Sequence, residues 1–344
     1  MPEEQLNLFL KSPMAERFFG LWQMVGDTPM VKIGYRYGGG KECFIYAKCE
    51  QYNLTGSIKD RTVLYMLQQA SQQGLLEPGD TLVEITSGGN MGISLAAIGR
   101  ALGHRVRLLM PEAADLEHRA AIVSLGGEVR LISEGERSFL GDLLTAESAA
   151  CDGKVFLPRQ FENPYNALAH EKTTGPEIIR DLELHGLVPD AFVAGVGTGG
   201  TVMGTGNCLR NWNPFIKIHP LEPAESPALS NPFRPVNHRI TGIAEDFIPG
   251  ILDLEALDNI ISVSDGDAIL MAQKLAKELG LSVGVSSGAN LLGAIQIQQE
   301  MGPEAVVVTV FPDSHKKNLN EEPVKAYYRS PQIKLTGYQG IFRN

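Results

Sequence analysis

A lysine at the junction of a turn and a helix is the residue of this sequence best suited to covalent chemistry. Lys59 follows a small-residue run, residues 53–57, and precedes the apolar-periodic stretch 63–73, which predicts a helix. The positive end of the helix dipole and the nearby Arg61 both disfavour an ammonium group at this position. The neutral amine can form a Schiff base with a carbonyl compound. Most lysines are solvated surface residues. Three further loops therefore bear on whether Lys59 is reactive or an ordinary surface lysine.

A glycine-rich loop has the composition of a phosphate-binding turn. It lies between an apolar run, residues 191–196, that predicts a strand and a stretch, residues 202–212, that predicts a helix. Backbone N–H groups of such a loop can converge with the helix N-terminus on a phosphate. The loop lacks the Gly-Lys-Ser/Thr ending of a nucleotide P-loop, and a plain tight turn is the alternative. Its residues are Gly197, Thr198, Gly199, Gly200 and Thr201.

A second loop, between the predicted strand 81–85 and the predicted helix 93–102, is suited to holding a carboxylate. Its amide and hydroxyl groups are hydrogen-bond donors, and the side chain of Asn90 can bond a ligand or serve as an ordinary N-cap. The other residues of this loop are Thr86, Ser87, Gly88 and Gly89.

A third loop, Gly284 to Asn290, precedes the predicted helix 291–301. Its Ser286 is either an N-cap or a hydroxyl that faces a ligand, and the loop taken alone favours the N-cap.

Together the four segments resemble the fold-type II family of pyridoxal-phosphate enzymes, most closely the branch of cysteine synthase and cystathionine β-synthase. The resemblance covers nearly the whole chain. It implies an α/β, two-lobed, tryptophan synthase β-like architecture with parallel-type sheets flanked by helices, and pyridoxal 5′-phosphate as the cofactor. Further matching segments are Gly26 to Met30, Arg159 to Pro164, His170 to Ile178, Glu222 to Pro227 and Phe247 to Pro249.

The resemblance also implies a role for each matching residue. Lys59 is the catalytic lysine that carries the cofactor, and the glycine-rich loop binds the cofactor's phosphate. Asn90 bonds the phenolate oxygen, and Ser286 faces the pyridine nitrogen. Binding of the amino-acid substrate is implied for Thr86, Ser87, Gly88, Gly89 and Gln160.

These roles point to β-replacement. A hydroxyl opposite the pyridine nitrogen cannot stabilise a protonated ring as a carboxylate does, which favours loss of the α-proton and expulsion of a β-substituent. The amine of Lys59 is the expected general base. The expected reaction converts an activated serine, such as O-acetylserine, to an aminoacrylate, to which sulfide or another nucleophile adds to give cysteine or a related amino acid.

Departures from the family pattern keep other reactions open. Met91 stands where the family has threonine, and Ala244-Glu-Asp246 replaces the usual Gly-Ala-Gly of cysteine synthases. Asp246 and the run Pro312 to Ser314 resemble the corresponding segments of cystathionine β-synthases. The alternatives are therefore condensation of serine with a larger thiol, a serine/threonine deaminase, and a catalytically silent binding relative.

The composition of the chain excludes some kinds of binding partner. The chain of 344 residues has a net charge of −10 and no run of lysine or arginine, which argues against nucleic acid and anionic membranes. The start of the sequence lacks a signal-like core, so we expect a cytoplasmic protein. Four scattered cysteines and seven histidines show no metal-ligand spacing, and no metal is expected.

Strand-like runs alternate with helical ones, which is typical of parallel α/β sheets. Runs at 44–48, 81–85, 106–110, 128–132, 191–196, 217–221 and 305–310 are the predicted strands. The resemblance divides the chain into a smaller mobile lobe, residues 48–150, and a larger cofactor-binding lobe, residues 1–47 plus 151–344, and it implies a homodimer.

Overall fold

A computed structural model describes residues 12–86, 89–133, 153–231, 238–245, 247–314 and 332–341. Its contacts divide the chain into two compact units. The first contains the described residues of Met1–Gly26, Asn53–Thr55 and Lys59–Asn166, and the second contains those of Asp27–Tyr52, Gly56–Ile58 and Ala167–Asn344.

Helices and strands alternate along the described chain. The helices are α1 (Pro13–Trp22), α2 (Lys59–Gln72), α3 (Gly89–Leu102), α4 (Leu116–Ser124), α5 (Pro164–Lys172), α6 (Thr174–Glu183), α7 (Gly200–Trp212), α8 (Asp265–Leu279) and α9 (Val285–Met301). The strands are β1 (Met30–Tyr37), β2 (Cys43–Cys49), β3 (Thr81–Ile85), β4 (Arg105–Pro111), β5 (Glu128–Ile132), β6 (Val155–Phe156), β7 (Ala191–Gly195), β8 (Lys217–Pro223), β9 (Ile261–Val263), β10 (Val307–Phe311) and β11 (Ile333–Ile341).

The first unit is built on a parallel sheet with the strand order β5-β4-β3-β6. Its largest apolar cluster joins α1, α2, α3 and the sheet, with Phe18, Leu64, Leu95 and Leu108 at its centre. Helix α1 is well defined locally because Ser12 caps it by accepting a hydrogen bond from the N–H of Ala15, and Pro13 follows the cap.

The second unit has a seven-stranded sheet with the order β11-β1-β2-β10-β7-β8-β9. The pairs formed by β1 with β11 and with β2 are antiparallel, and the other pairs are parallel. Successive residues of β7 alternate between two cores: Ala191 and Val193 pack with α8 and α9, while Phe192 and Ala194 pack with α6 and α7. Strands buried on both faces explain the near-continuous apolar runs in the sequence.

The predicted α/β class is confirmed, with mostly parallel sheets flanked by helices. The predicted strands are all present, with ends within two residues of the expected ones. The compact units have other boundaries than the predicted lobes, since α1 packs in the first unit whereas residues 1–47 were assigned to the larger lobe. Whether the smaller lobe moves stays a prediction.

The helices next to the chemically interesting loops begin earlier than predicted. Helix α2 begins four residues before residue 63, α3 four before residue 93, α7 two before residue 202 and α9 six before residue 291. As a result, Lys59, Gly89, Asn90 and Ser286 lie in first helical turns instead of in loops.

Some functional classes receive no support from the described part of the chain. None of its helices is both long and apolar enough to cross a membrane. Within the same residues, no group of three His, Cys, Asp or Glu side chains could hold a metal ion.

Cys43, Cys49 and Cys208 are free thiols, and burial raises the pKa of Cys49 to about 12. Cys151 lies outside the described residues.

Candidate active site

Lys59 is the first residue of α2, and its side chain is half-buried. The next residue, Asp60, is fully buried and fixes the turn that precedes the lysine. Asp60 accepts hydrogen bonds from the N–H of Thr55 and from its hydroxyl group, both at 2.6 Å. The carboxylate of Asp60 therefore ties the segment before the helix to the first turn of α2 and holds Lys59 at a defined helix start.

Asp60 also joins two helices of the first unit. The hydroxyl of Ser94, on α3, donates a hydrogen bond of 2.6 Å to Asp60 Oδ1. Helix α3 begins at Gly89, so this bond fixes the start of α2 relative to the helix that follows the second loop.

The second loop is described at its two ends. Thr86 follows β3, is buried, and donates its backbone N–H to the carbonyl of Leu109 at 3.0 Å. Gly89 and Asn90 are the first two residues of α3, so the sequence-based N-cap alternative for Asn90 is wrong. A Cβ at Gly89 would lie 2.1 Å from the side chain of His118, so a larger residue there would require His118 to move. Ser87 and Gly88 lie outside the described residues.

Glu84, which the sequence analysis did not single out, lies next to this loop. Its side chain is buried at the carboxyl end of β3, and its two oxygens accept hydrogen bonds from the N–H groups of Ile85 (3.0 Å) and Gln160 (3.1 Å). Burial raises the pKa of Glu84 to about 7, against the lowering effect of those hydrogen bonds and of the Arg159 charge. The sequence signal that could have pointed to Glu84 is an acidic residue inside an apolar run that predicts a strand.

Gln160 is held in the same corner of the first unit. Its side-chain amide donates to the carbonyl of Ile85 at 3.1 Å, and its own carbonyl accepts from the side chain of Asn166 at 2.7 Å. The hydroxyl of Thr62, on α2, donates to Asn166 Oδ1 at 3.3 Å. A chain of hydrogen bonds thus runs from the end of β3 through Gln160 to the helix that begins with Lys59.

The glycine-rich loop lies in the second unit, between β7 and α7. Gly199 is the N-cap of α7 and has a φ of 86°, in the left-handed region that favours glycine. A Cβ at Gly197 would lie 2.6 Å from the carbonyl oxygen of Gly242, so this position also requires glycine. Thr198 is buried, and its hydroxyl accepts from the N–H of Gly200 at 3.3 Å.

Thr201 is oriented by a buried histidine. Its hydroxyl lies 3.4 Å from Nε2 of His170, whose Nδ1 lies 2.9 Å from the hydroxyl of Thr174. Because one ring nitrogen is a donor in the neutral tautomer and the other an acceptor, the two hydroxyl groups are linked through the imidazole ring.

Ser286 is the second residue of α9 and is buried. The N-cap of α9 is Gly284, so the alternative that Ser286 caps the helix is wrong. Asn290 fixes the start of α9 in the second unit: its Oδ1 accepts from the N–H of Gly195, and its Nδ2 donates to the carbonyl of Val310, both at 2.8 Å.

One departure from the cysteine synthase pattern lies at a residue with a left-handed backbone conformation. Ala244, where the family usually has glycine, has a φ of 58°, which is unfavourable for a residue with a Cβ. Its N–H donates to the carbonyl of Val196 at 2.7 Å, directly before the glycine-rich loop. Asp246 lies outside the described residues.

The sequence is similar to known proteins over most of its length. The model of a family described as pyridoxal-phosphate dependent enzyme matches residues 21–313. The sequence is 40% identical over 298 residues to the cysteine synthase of Staphylococcus aureus strain N315, which covers 87% of this chain and 94% of that protein. A probable cysteine synthase of Bacillus subtilis is 39% identical over 300 residues, with 87% of this chain and 95% of that protein covered.

Solved structures show the same likeness. A hydrogen sulfide-producing enzyme from Fusobacterium nucleatum has a TM-score of 0.88 and 44% sequence identity, covering 94% of this chain and 97% of that one.

Proposed function

Because the chain belongs to the family of pyridoxal-phosphate dependent enzymes, we propose that it replaces the β-substituent of a serine-type amino acid, such as O-acetylserine, with sulfide or another nucleophile. The observation that carries this proposal is the position of Lys59, which opens α2 next to a turn held by the buried Asp60. A lysine fixed in this way can serve as a nucleophile and as a base for the α-proton.

The residues of the glycine-rich loop fit the phosphate of pyridoxal 5′-phosphate. Gly199, the N-cap of α7, has no side chain that could accept from the helix amides beyond Gly200, whose N–H bonds the hydroxyl of Thr198, and Gly197 leaves no room for a Cβ. An anion at these amides is favoured by the helix dipole. Thr198 and Thr201 add hydroxyl groups.

Other side chains have roles toward the cofactor and the substrate. Bound pyridoxal phosphate supplies the electron sink for loss of the α-proton and of the β-substituent. Asn90 and Ser286, each in the first turn of a helix, would bond the polar atoms of the cofactor ring. Thr86, Gly89 and Gln160, together with Ser87 and Gly88, would receive the carboxylate of the amino acid, and Lys59 would move the proton at Cα.

A second candidate uses cysteine as the donor and releases sulfide. It is favoured by the 44% identity to the hydrogen sulfide-producing enzyme of Fusobacterium nucleatum, which has also been solved with an α-aminoacrylate intermediate. The acceptor in this reaction is a larger thiol, in line with the resemblance of Pro312 to Ser314 to cystathionine β-synthases.

Family resemblance supports two further expectations, a homodimer and a cytoplasmic address. The acidic net charge of −10 agrees with a protein in solution. Light scattering of the purified protein would measure the mass, and fractionation of the source cells would test the address.

The test begins with the absorbance spectrum of the purified protein, recorded before and after adding O-acetylserine, serine and cysteine in turn. We expect a cofactor band that changes with one of these donors, and a borohydride-fixed covalent link to the peptide containing Lys59. Lys59→Ala should abolish turnover, whereas Lys154→Ala, a half-exposed lysine of the same unit, should leave turnover unchanged. Full activity of Lys59→Ala would refute the mechanism.

The product then separates the two candidates. Formation of cysteine from O-acetylserine and sulfide supports the first reaction, and release of sulfide from cysteine supports the second. Pyruvate and ammonia formed from serine without any acceptor would identify a deaminase instead.

A further inference from the structure

A buried carboxylate at the end of β3 needs an explanation. The side chain of Glu84 is 3% exposed, and its partner in the register of the sheet is Leu108 on β4, which is fully buried. A carboxylate costs free energy in such a place, since it gives up water and must find replacement hydrogen bonds. Glutamate at this position therefore has a use that an apolar residue would not serve.

The two carboxylate oxygens of Glu84 connect two segments of the chain. Oε1 accepts from the N–H of Ile85, the last residue of β3, and Oε2 accepts from the N–H of Gln160, 76 positions away along the chain. The side-chain amide of Gln160 returns a hydrogen bond to the carbonyl of Ile85. Gln160 is therefore attached to the end of β3 by its backbone and by its side chain.

The attachment acts on the residues next to it. Thr86 follows Ile85 directly, and its position is set by the same strand end and by its bond to Leu109. Arg159, directly before Gln160, has a φ of 52°, a left-handed conformation that is unfavourable for arginine and needs support from its surroundings. The bond from Gln160 to Glu84 supplies that support one residue further along.

We propose that Glu84 is a positioning residue for the amino-acid substrate, which holds Thr86 and Gln160 in one fixed arrangement through the N–H groups of Ile85 and Gln160. The inference rests on the proposed function, in which Thr86 and Gln160 bind the substrate. Glu84 itself contacts the backbone and acts only through these two residues.

The test uses Glu84→Gln in the holoenzyme, because this substitution keeps the size of the side chain and replaces one acceptor oxygen by an NH2 donor. One of the two N–H groups then loses its acceptor. We expect KM for the amino-acid donor to rise about ten-fold or more, with kcat changed much less, because a hydrogen bond that fixes Thr86 and Gln160 is lost. The absorbance band of the bound cofactor should stay unchanged.

Two comparisons separate positioning from mere stability. Asp80→Asn changes another buried carboxylate of the same unit, one that accepts from the N–H of Glu77 at 2.8 Å, and should lower Tm without changing KM. The double variant Glu84→Gln with Gln160→Ala should raise KM by less than the product of the two single effects, because Glu84 acts in part through Gln160. Gln160→Ala by itself keeps the proposal testable if Glu84→Gln fails to fold.

Hydrogen exchange gives a readout that does not depend on activity. In Glu84→Gln, the amides of Ile85 and Gln160 should exchange faster than in the wild type, while those of α4 should not. Unchanged exchange, or an unchanged KM with a lowered Tm, would overturn the role of Glu84. A wild-type protein that converts no amino acid would overturn the proposed function and the substrate role with it, and the exchange rates would still report whether Glu84 holds Gln160.

Discussion

The carboxylate of Asp60 and the hydroxyl of Ser94 lie 2.6 Å apart, and this hydrogen bond joins the helix that begins with Lys59 to the helix that begins with Gly89. Asp60 accepts two further bonds from Thr55. A single buried carboxylate thus fixes the start of α2 relative to α3.

Asp60→Asn should destabilise the protein and disturb Lys59. The amide keeps one acceptor and presents a donor toward groups that donate, so we expect a loss of about 2 kcal/mol in the free energy of unfolding. Urea unfolding measures this loss, and cofactor absorbance reports on Lys59. The matched control is Ser94→Ala, which removes one of the three bonds and should cost about 1 kcal/mol. Equal effects of the two variants would contradict the central role of Asp60.

Ala244→Gly should stabilise the protein. Alanine at a φ of 58° pays about 1–2 kcal/mol relative to glycine, which exceeds the entropy that glycine adds to the unfolded chain. We expect Tm to rise by a few degrees in a thermal melt. Gly242→Ala is the converse control, because Gly242 has a φ of 86° with open space around the missing Cβ, and its Tm should fall. A lower Tm for Ala244→Gly would disprove the strain.

The stability of the protein should depend on pH through Glu84. Its pKa of about 7 in the folded protein lies above the ordinary value of 4.5, so the folded state binds the proton more tightly than the unfolded chain. Stability from this group is fully present below pH 4.5 and is lost as pH rises through about 7. The loss amounts to about 3 kcal/mol.

The measurement compares wild type and Glu84→Gln by urea unfolding between pH 4.5 and pH 8. The difference in unfolding free energy between the two proteins should change across this range and level off above pH 7. Asp265, whose pKa burial raises to about 6, titrates in both proteins, so its contribution cancels in the difference. A difference that stays constant with pH would show that Glu84 does not titrate there.

Lys48→Met should be strongly destabilising. The ammonium of Lys48 is fully buried and bonds the carboxylates of Glu177 and Asp181, each at 3.0 Å. Removing it leaves carboxylates in the protein interior without this counter-charge, which costs about 3–5 kcal/mol. The control is Lys41→Met, which breaks an exposed ion pair with Glu304 and should lower the unfolding free energy far less in the same urea titration. Comparable losses for both variants would argue against this account.

The sequence predicted the central strands well because they carry continuous apolar runs. Such runs are typical of strands in a sheet that is covered on both faces. It did not predict β1 and β11, whose pairing joins residues about three hundred positions apart and has no local signature. Helix starts were predicted too late, because the first turns at Lys59, Gly89 and Val285 are rich in glycine, serine and polar residues, and apolar periodicity begins a turn later.

Of the candidate site, the residue types and their order were accessible from the sequence, whereas their supports were not. Asp60 and Glu84 look like ordinary acidic residues in a sequence, since burial and the backbone N–H groups that they bond are fixed only by tertiary structure. The strain at Ala244 could not be read from the sequence either. The sequence shows that alanine stands in place of glycine, but it does not show that φ is positive at this position.

The antiparallel pairing of Met30 with Ile341 has a consequence for the order of events during synthesis. The strands and helices of the first unit are complete once Asn166 has left the ribosome, so its parallel sheet can form while translation continues. The sheet of the second unit is completed later: β1 emerges early, and its edge is not covered by β11 until residues 333–341 have been added. Throughout that interval β1 is an open edge, and we expect the nascent chain to depend on chaperones at this strand.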